Sequence, residues 1–354
     1  MKKDNAETKI ESGFRKQVKK DKRVRNAYLL IHSDKLKVHL NIAEGQTGDL
    51  PADSQQPNYM ASVGKIFTST LTGILADEGR LSFDDTIDKY LDEELVNGLH
   101  VYEGVEYSSE IKIRHLLGQR SGLDDNFWPL LEKLIDNPNY SISPKDAINW
   151  VKTNTVAKFR PGEGFRYTDT NYHLLGLIIE SITGMSFHDA LHEYFFKPLG
   201  MKNSYMLHYS DPIEKPAHPT ADFFLRETRM NDIRGYAALD YAGGGVVGPL
   251  EDFLKFMKAL VAHELVSEGT LQKMKQDRSK FAMGIDYGYG IWQIKTVPLL
   301  MPRKFNSWGV AGVTGAFMFY HPENETFIIG NFNNSAYERI GLRFMMVNVM
   351  NKLF

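Results

Sequence analysis

Residues 60–81, Met60-Ala61-Ser62-Val63-Gly64-Lys65 followed by IFTSTLTGILADEGRL, read as the opening of an amphipathic helix. Ile66, Leu71, Ile74 and Leu75 recur at helical spacing, and Gly79 supplies a stop. Ser62 and Lys65 stand three apart, which places both side chains on one helical face, one turn from each other. Near a helix N-terminus, free backbone N–H groups and the positive dipole end favour developing negative charge. A serine with an amine on the next turn can pass its proton that way and attack a carbonyl. The S-x-x-K spacing alone is weak, because it recurs at Ser109 and Lys112 inside the charged stretch EYSSEIKIRH. Ser62 differs in its setting: small apolar neighbours, a glycine between the pair and a long apolar helix behind it.

Outward from this stretch, two strand-like runs precede it. Ala27–Ser33 and Leu36–Ala43 are joined by a short Asp34-Lys35 turn. Before them, residues 6–20 form a polar helix with a thin stripe of Ile10, Phe14 and Val18. After it, residues 111–200 are dominated by helical patterns, several starting at serine or Ser-Pro and ending at glycine. Gly243-Gly244-Gly245 introduces the helix PLEDFLKFMKALV. GYGIWQIKT, SWGVAG, GAFMFYH and TFIIGNFN read as strands, the last two linked by a Pro-Glu-Asn-Glu turn. A closing helix carries Leu342, Met345, Val349 and Leu353 on one face.

The expected architecture is α+β: an antiparallel sheet flanked by the N- and C-terminal helices, with a second, mostly helical lobe. Residues 1–80 and 280–354 are assigned to the sheet lobe and 81–279 to the helical lobe, with the active site in the cleft between them.

The 354 residues are ample for two lobes, and 42% hydrophobic with 24% charged residues is an ordinary globular composition. A formal net charge of −2 gives no reason to expect nucleic acid as partner. Zero cysteines exclude disulfides and thiol catalysis. No run is long enough for an integral membrane segment. The first 25 residues have a basic start without an apolar core, which reads as no signal peptide: a cytosolic protein, or one whose leader has been removed. Nothing in the sequence sets an oligomeric state.

A second proton carrier is available in Tyr167-Thr168-Asp169, on a loop at the start of the apolar helix TNYHLLGLIIESITG. A phenol beside an ammonium can have its pKa lowered and serve as a base. Y-x-D alone also occurs at Tyr90 and Tyr209.

The order and context of several longer stretches are more specific. They are SVGKIFTSTLTGILADEGRLSFDDTIDKYL, IKIRHLLGQRSGL, FRPGEGFRYTDTNYHLLGLIIESITGMSF, FFKPLGMKNSYM, YAGGGVVGPLEDFLKFMKAL and WGVAGVTGAFMFYHPENETFIIGNFN. Together they resemble the serine β-lactamase and penicillin-binding protein-like superfamily, in the branch of class C β-lactamases, DD-peptidases and related esterases. The resemblance runs from about residue 26 to residue 352. It implies a β-lactamase/transpeptidase-like fold, with Ser62 as acyl-accepting nucleophile, Lys65 as its proton partner and Tyr167 as general base. The backbone N–H groups of Ser62 and Val313 would form the oxyanion hole.

Two positions depart from the pattern. The residue two after the tyrosine is usually asparagine and here is Asp169. The Lys/His-Thr/Ser-Gly motif falls on Val310-Ala311-Gly312, without its cation and hydroxyl. β-Lactams and D-alanine peptides both present a carboxylate, so these changes point to a neutral or amine-bearing ester, amide or short peptide. Arg303 and Lys304 are the nearby cations able to replace the missing one. Asp169 is expected to raise the pKa of Lys65 and so place the base role on Tyr167. Tyr241 and Trp308 are expected to line the pocket. The alternatives are a catalytically silent binding or assembly homologue, and a DD-peptidase or β-lactamase with a relocated anion site.

Two further patterns carry no site. His188 and His192 stand at i, i+4 without the glutamate or third ligand of a zinc helix, so no metal is assigned. Gly243, Gly245 and Gly248 match G-x-G-x-x-G without a βαβ unit around them, so no dinucleotide or other cofactor is implied.

Overall fold

Asn26–Ser33 (β1) is buried along almost its whole length, which marks an inner strand covered on both faces. The computed structural model describes residues 2–354, with side chains from Ala6 onward. Among these, β1 is joined by Val38–Thr47 (β2), Leu50–Pro51 (β3), Ser279–Ala282 (β4), Ile285–Tyr287 (β5) and Trp292–Ile294 (β6). Ser307–Gly312 (β7), Ala316–His321 (β8) and Thr326–Asn331 (β9) complete a nine-stranded sheet in the order β4-β5-β6-β7-β8-β9-β1-β2-β3. Every pairing is antiparallel. The two ends of the chain meet at β1 and β9, where Leu30 faces Ile329.

Alternation along the strands sorts the core into two layers. Leu29, Ile31, Phe317, Phe319 and Ile328 point to the face covered by both terminal helices. Helix α1 (Lys2–Lys20) contributes Ile10, Phe14 and Val18, the stripe read from the sequence. The C-terminal helix begins at Glu338–Phe344 and contributes Phe344, Met345 and Val349. Phe14 meets Phe344 edge-on at 6.0 Å. Tyr28, Leu30, Val310, Met318 and Ile329 point the other way, into the layer holding helix α2 (Gly64–Asp77).

The same layer continues into helix α3 (Thr170–Thr183), buried from Thr170 to Ile179 and stopped by Gly184 in the left-handed region. Helix α4 (Leu250–Val261), counted with the helical lobe from sequence, packs against β1 and β9. Its amphipathic pattern shows that it covers an apolar surface but not which one. β4 and β5 were not read as strands. They are only four and three residues long, with a register shift between Lys280 and Ala282, too short a run for the sequence to set a strand period. No single helix among the described residues is long and apolar enough to cross a membrane.

Candidate active site

Ser62 is the one residue between Gln56 and Gly73 that is not buried. It lies in a 3-10 turn, Ala61–Val63, which leads directly into α2. Upstream, the Met60 N–H donates to Val246 O at 3.3 Å, and Ala61 takes φ = 50°. A non-glycine residue in the left-handed region is strained, and the surrounding contacts must hold it there. Two glycines permit the close approach of neighbouring backbone. A Cβ on Gly64 would sit 2.1 Å from Gly244 O. One on Gly312 would sit 2.7 Å from Met60 O and 3.2 Å from Ser62 N. The end of β7 therefore lies directly against the serine.

Lys65 is wholly buried, and its three ammonium hydrogens have three acceptors. It donates to Ser62 Oγ at 3.3 Å, to Gly243 O at 2.7 Å and to Asp169 Oδ1 in a short ion pair. The rings of Tyr167 and Tyr172 flank the ammonium at 5.1 and 5.2 Å. Burial works against the charge, but Asp169, Tyr167 and Asp240 outweigh it and hold the lysine above its ordinary range.

Tyr167 and Asp169 arrive on a loop fixed from behind by Gln119. The Gln119 side chain accepts from Thr168 N at 3.0 Å and donates to Thr168 O at 3.1 Å. Asp125 Oδ1 accepts from Asp169 N at 2.9 Å and from Thr168 Oγ1 at 3.1 Å. Tyr167 itself is half-buried. Burial pushes its phenol up; Lys65 and a hydrogen bond with Ser62 only partly offset this, and Asp169 adds to the rise. The lowered phenol expected from sequence is therefore corrected: desolvation outweighs the neighbouring ammonium, and Tyr167 rests neutral at pH 7.

Two carboxylates at this site carried no sequence signal. Burial, with the charge of Asp169 added, pushes Asp125 up to about 6. Asp240 is raised to about 7 by burial, against the pull of its Tyr59 hydrogen bond. Asp240 Oδ2 accepts from Tyr59 OH at 2.7 Å and from the Gly245 N–H, so it ties down the loop whose Gly243 carbonyl holds Lys65.

The remaining sequence candidates separate. Val310 is 1% exposed among Met318 and Ile329, and Ala311 faces the terminal-helix layer. Gly312 abuts the serine, and Val313 follows it, half-buried. Arg303 and Lys304 precede β7 at its other end, where Arg303 is exposed and pairs with Glu323 at 3.5 Å. Neither supplies a cation at Ser62. Tyr241 does not line a pocket: it is 3% exposed, stacked on His173 and packed against Phe187. Trp308 is also covered, by Tyr320 and by Lys275 at 5.3 Å from its ring. Four residues of strand, roughly 13 Å at the usual rise, separate it from Gly312.

Comparison with known proteins agrees with this fold. Penicillin-binding protein 4* of Bacillus subtilis (strain 168) is 25% identical over 283 residues, covering 76% of this chain and 59% of that protein. Protein flp of Staphylococcus aureus (strain MW2) is 32% identical over 145 residues, covering 41% of this chain and 27% of that protein. The chain thus spans less than two thirds of these relatives' own length. D-amino acid amidase from Ochrobactrum anthropi SV3, complexed with L-phenylalanine amide, superposes with a TM-score of 0.78 at 20% identity, covering 99% and 98% of the two chains. D-stereospecific amidohydrolase from Streptomyces sp. gives 0.77 at 19% identity, covering 96% and 97%. At such identities these likenesses speak for the fold. The sequence profile described as Beta-lactamase matches residues 11–341, from the first helix across every strand of the sheet to the start of the last helix. With that span and that fold, the chain belongs to the beta-lactamase family, among the serine β-lactamases and penicillin-binding protein-like proteins.

Proposed function

We propose that this protein is a serine hydrolase that cleaves a neutral or amine-bearing ester or amide through an acyl-enzyme on Ser62. The observation that carries the reading is the shared contact of Ser62 Oγ, Lys65 Nζ and Tyr167 at the one point of a buried helix start that is not itself buried.

Held protonated at neutral pH by Asp169, Lys65 does not take the serine proton, but it can orient Ser62 Oγ and stabilise negative charge developing there. A neutral Tyr167 can relay that proton: its oxygen accepts from Ser62 while its own hydrogen passes to the departing heteroatom. The Ser62 Oγ–acyl bond forms, the bond to the leaving group breaks, and the leaving group departs protonated. Water then repeats the relay in reverse to release the acid. The N–H groups of Ser62 and Val313 are the donors for the oxyanion, a role that needs backbone geometry only.

The substrate preference follows from charge. Lys65 is committed to Asp169 and Gly243, and Val310, at the position where the resemblance expects a cation, is apolar and buried, so neither position offers a substrate carboxylate a free positive charge. Incubation with a fluorophosphonate probe followed by peptide mapping is expected to give a single adduct on Ser62. An unlabelled Ser62 in folded protein would overturn the reading.

A further inference from the structure

Beside Tyr167 stands a group of aromatic rings that the proton relay does not use. Phe281 on β4 lies 6.2 Å from the Tyr167 ring, 5.8 Å from Phe165 and 4.6 Å from Trp292 on β6. Tyr287 closes the back of the group, 5.7 Å from both Tyr167 and Phe165. Tyr287 is fully buried, whereas Phe165, Phe281 and Trp292 are each half-buried and keep part of their rings open. Large, partly open rings clustered beside a reactive group offer apolar surface for a ligand to cover. Several charges on the segments that carry or adjoin these rings are paired. Arg278 and Lys295 share Asp286, Lys158 and Arg166 share Asp124, and Arg120 holds Asp277.

We infer that Phe165, Phe281 and Trp292 form the leaving-group subsite, which takes a flat, uncharged apolar alcohol or amine such as an arylmethyl group. The inference rests on the hydrolase reading above. The relay fixes the side: the departing heteroatom must come within hydrogen-bond reach of the Tyr167 hydroxyl, so its substituent lies next to the rings that pack on Tyr167. Stacking on Phe281 and edge contact with Phe165 then hold that substituent, while the acyl portion points from the carbonyl toward the Gly312-Val313 side.

The test compares hydrolysis of ethyl, benzyl and 2-naphthylmethyl acetates, whose alcohols differ in size more than in intrinsic reactivity, with ethyl phenylacetate as the acyl-side control. Wild type is expected to favour benzyl over ethyl acetate by about tenfold in kcat/KM, the scale of covering one aromatic face. Phe281→Ala should bring that ratio to within about twofold, Phe165→Ala should move it the same way, and Phe281→Leu should restore part of it. The ratio of ethyl phenylacetate to ethyl acetate should hold in all three variants. Each enzyme serves as its own reference, so partial loss of folded protein cancels. A benzyl preference that survives Phe281→Ala, or a change confined to the acyl-side ratio, would overturn the subsite while leaving the hydrolase reading intact. Absence of both ester turnover and fluorophosphonate labelling in wild type would remove the hydrolase reading, and the subsite with it.

Discussion

At the scale of single residues, the site is a contest between burial and charge centred on Lys65. Asp169 is the main force keeping that ammonium protonated against burial. Asp169→Asn should leave an active enzyme whose alkaline limb moves to lower pH, because Lys65 then loses its proton more easily; a kcat–pH profile checks this, and an unchanged profile contradicts it. Tyr167→Phe removes the relay atom and should lower kcat by at least about 10³, measured on a neutral ester. Asp240, held at about 7 where an aspartate is ordinarily at 3.8, makes a claim about stability. Between those values the folded state binds more protons than the unfolded one, so stability falls as pH rises, and the full penalty is present above about 7. Denaturant titrations should show Asp240→Asn gaining on wild type from pH 4 to 7, by at most roughly 1.4 kcal/mol per pH unit, and levelling beyond. That Ser62, Lys65 and Tyr167 come together was legible from the small apolar setting of Ser62 and the longer stretches around it and Tyr167, not from the S-x-x-K spacing, which recurs at Ser109 and Lys112. The direction of the Tyr167 shift was not, because spacing reveals the neighbouring ammonium but not the burial that outweighs it.

At the scale of elements, what matters is how closely backbones approach. Gly312 lets the end of β7 lie against Ser62, so Gly312→Ala should push the strand away and lower kcat on the order of 10²-fold, the usual cost of a damaged oxyanion site. KM should change less, since the ground-state carbonyl needs that geometry less than the oxyanion does. Away from the site, Phe14 joins α1 to Phe332 and Phe344, and Phe14→Ala should cost about 3–5 kcal/mol of unfolding free energy. The terminal helices and α2 were readable from their apolar stripes, and α3 and the strands β7 to β9 from unbroken, mostly apolar runs bounded by turn residues. The three-stranded ribbon of Asn58–Tyr59, Val246–Gly248 and Tyr205–Met206, which sets Met60 ahead of the serine, was not. Its strands are two or three residues long, and they pair across the chain, Val247 with Tyr59 on one side and with Tyr205 on the other.

At the scale of the whole molecule, one sheet separates two tasks. Its terminal-helix face is a closed apolar layer, and its other face carries α2 and the site. The cation that sequence reading sought upstream of β7 stands at the wrong end of the strand, a fact of three-dimensional position that composition could not show. With Val310 buried in apolar surroundings and Lys65 already paired, catalytic efficiency on a neutral arylmethyl ester should exceed that on a chromogenic cephalosporin by about 10² or more; the reverse order would refute the charge argument. The most direct test of the central claim is to acid-quench the enzyme during turnover of a slow ester and map the modified peptide by mass spectrometry. The account predicts the acyl mass on Ser62, absent from Ser62→Ala, which turns nothing over. Steady hydrolysis by Ser62→Ala, or the acyl group on any other residue, would contradict it.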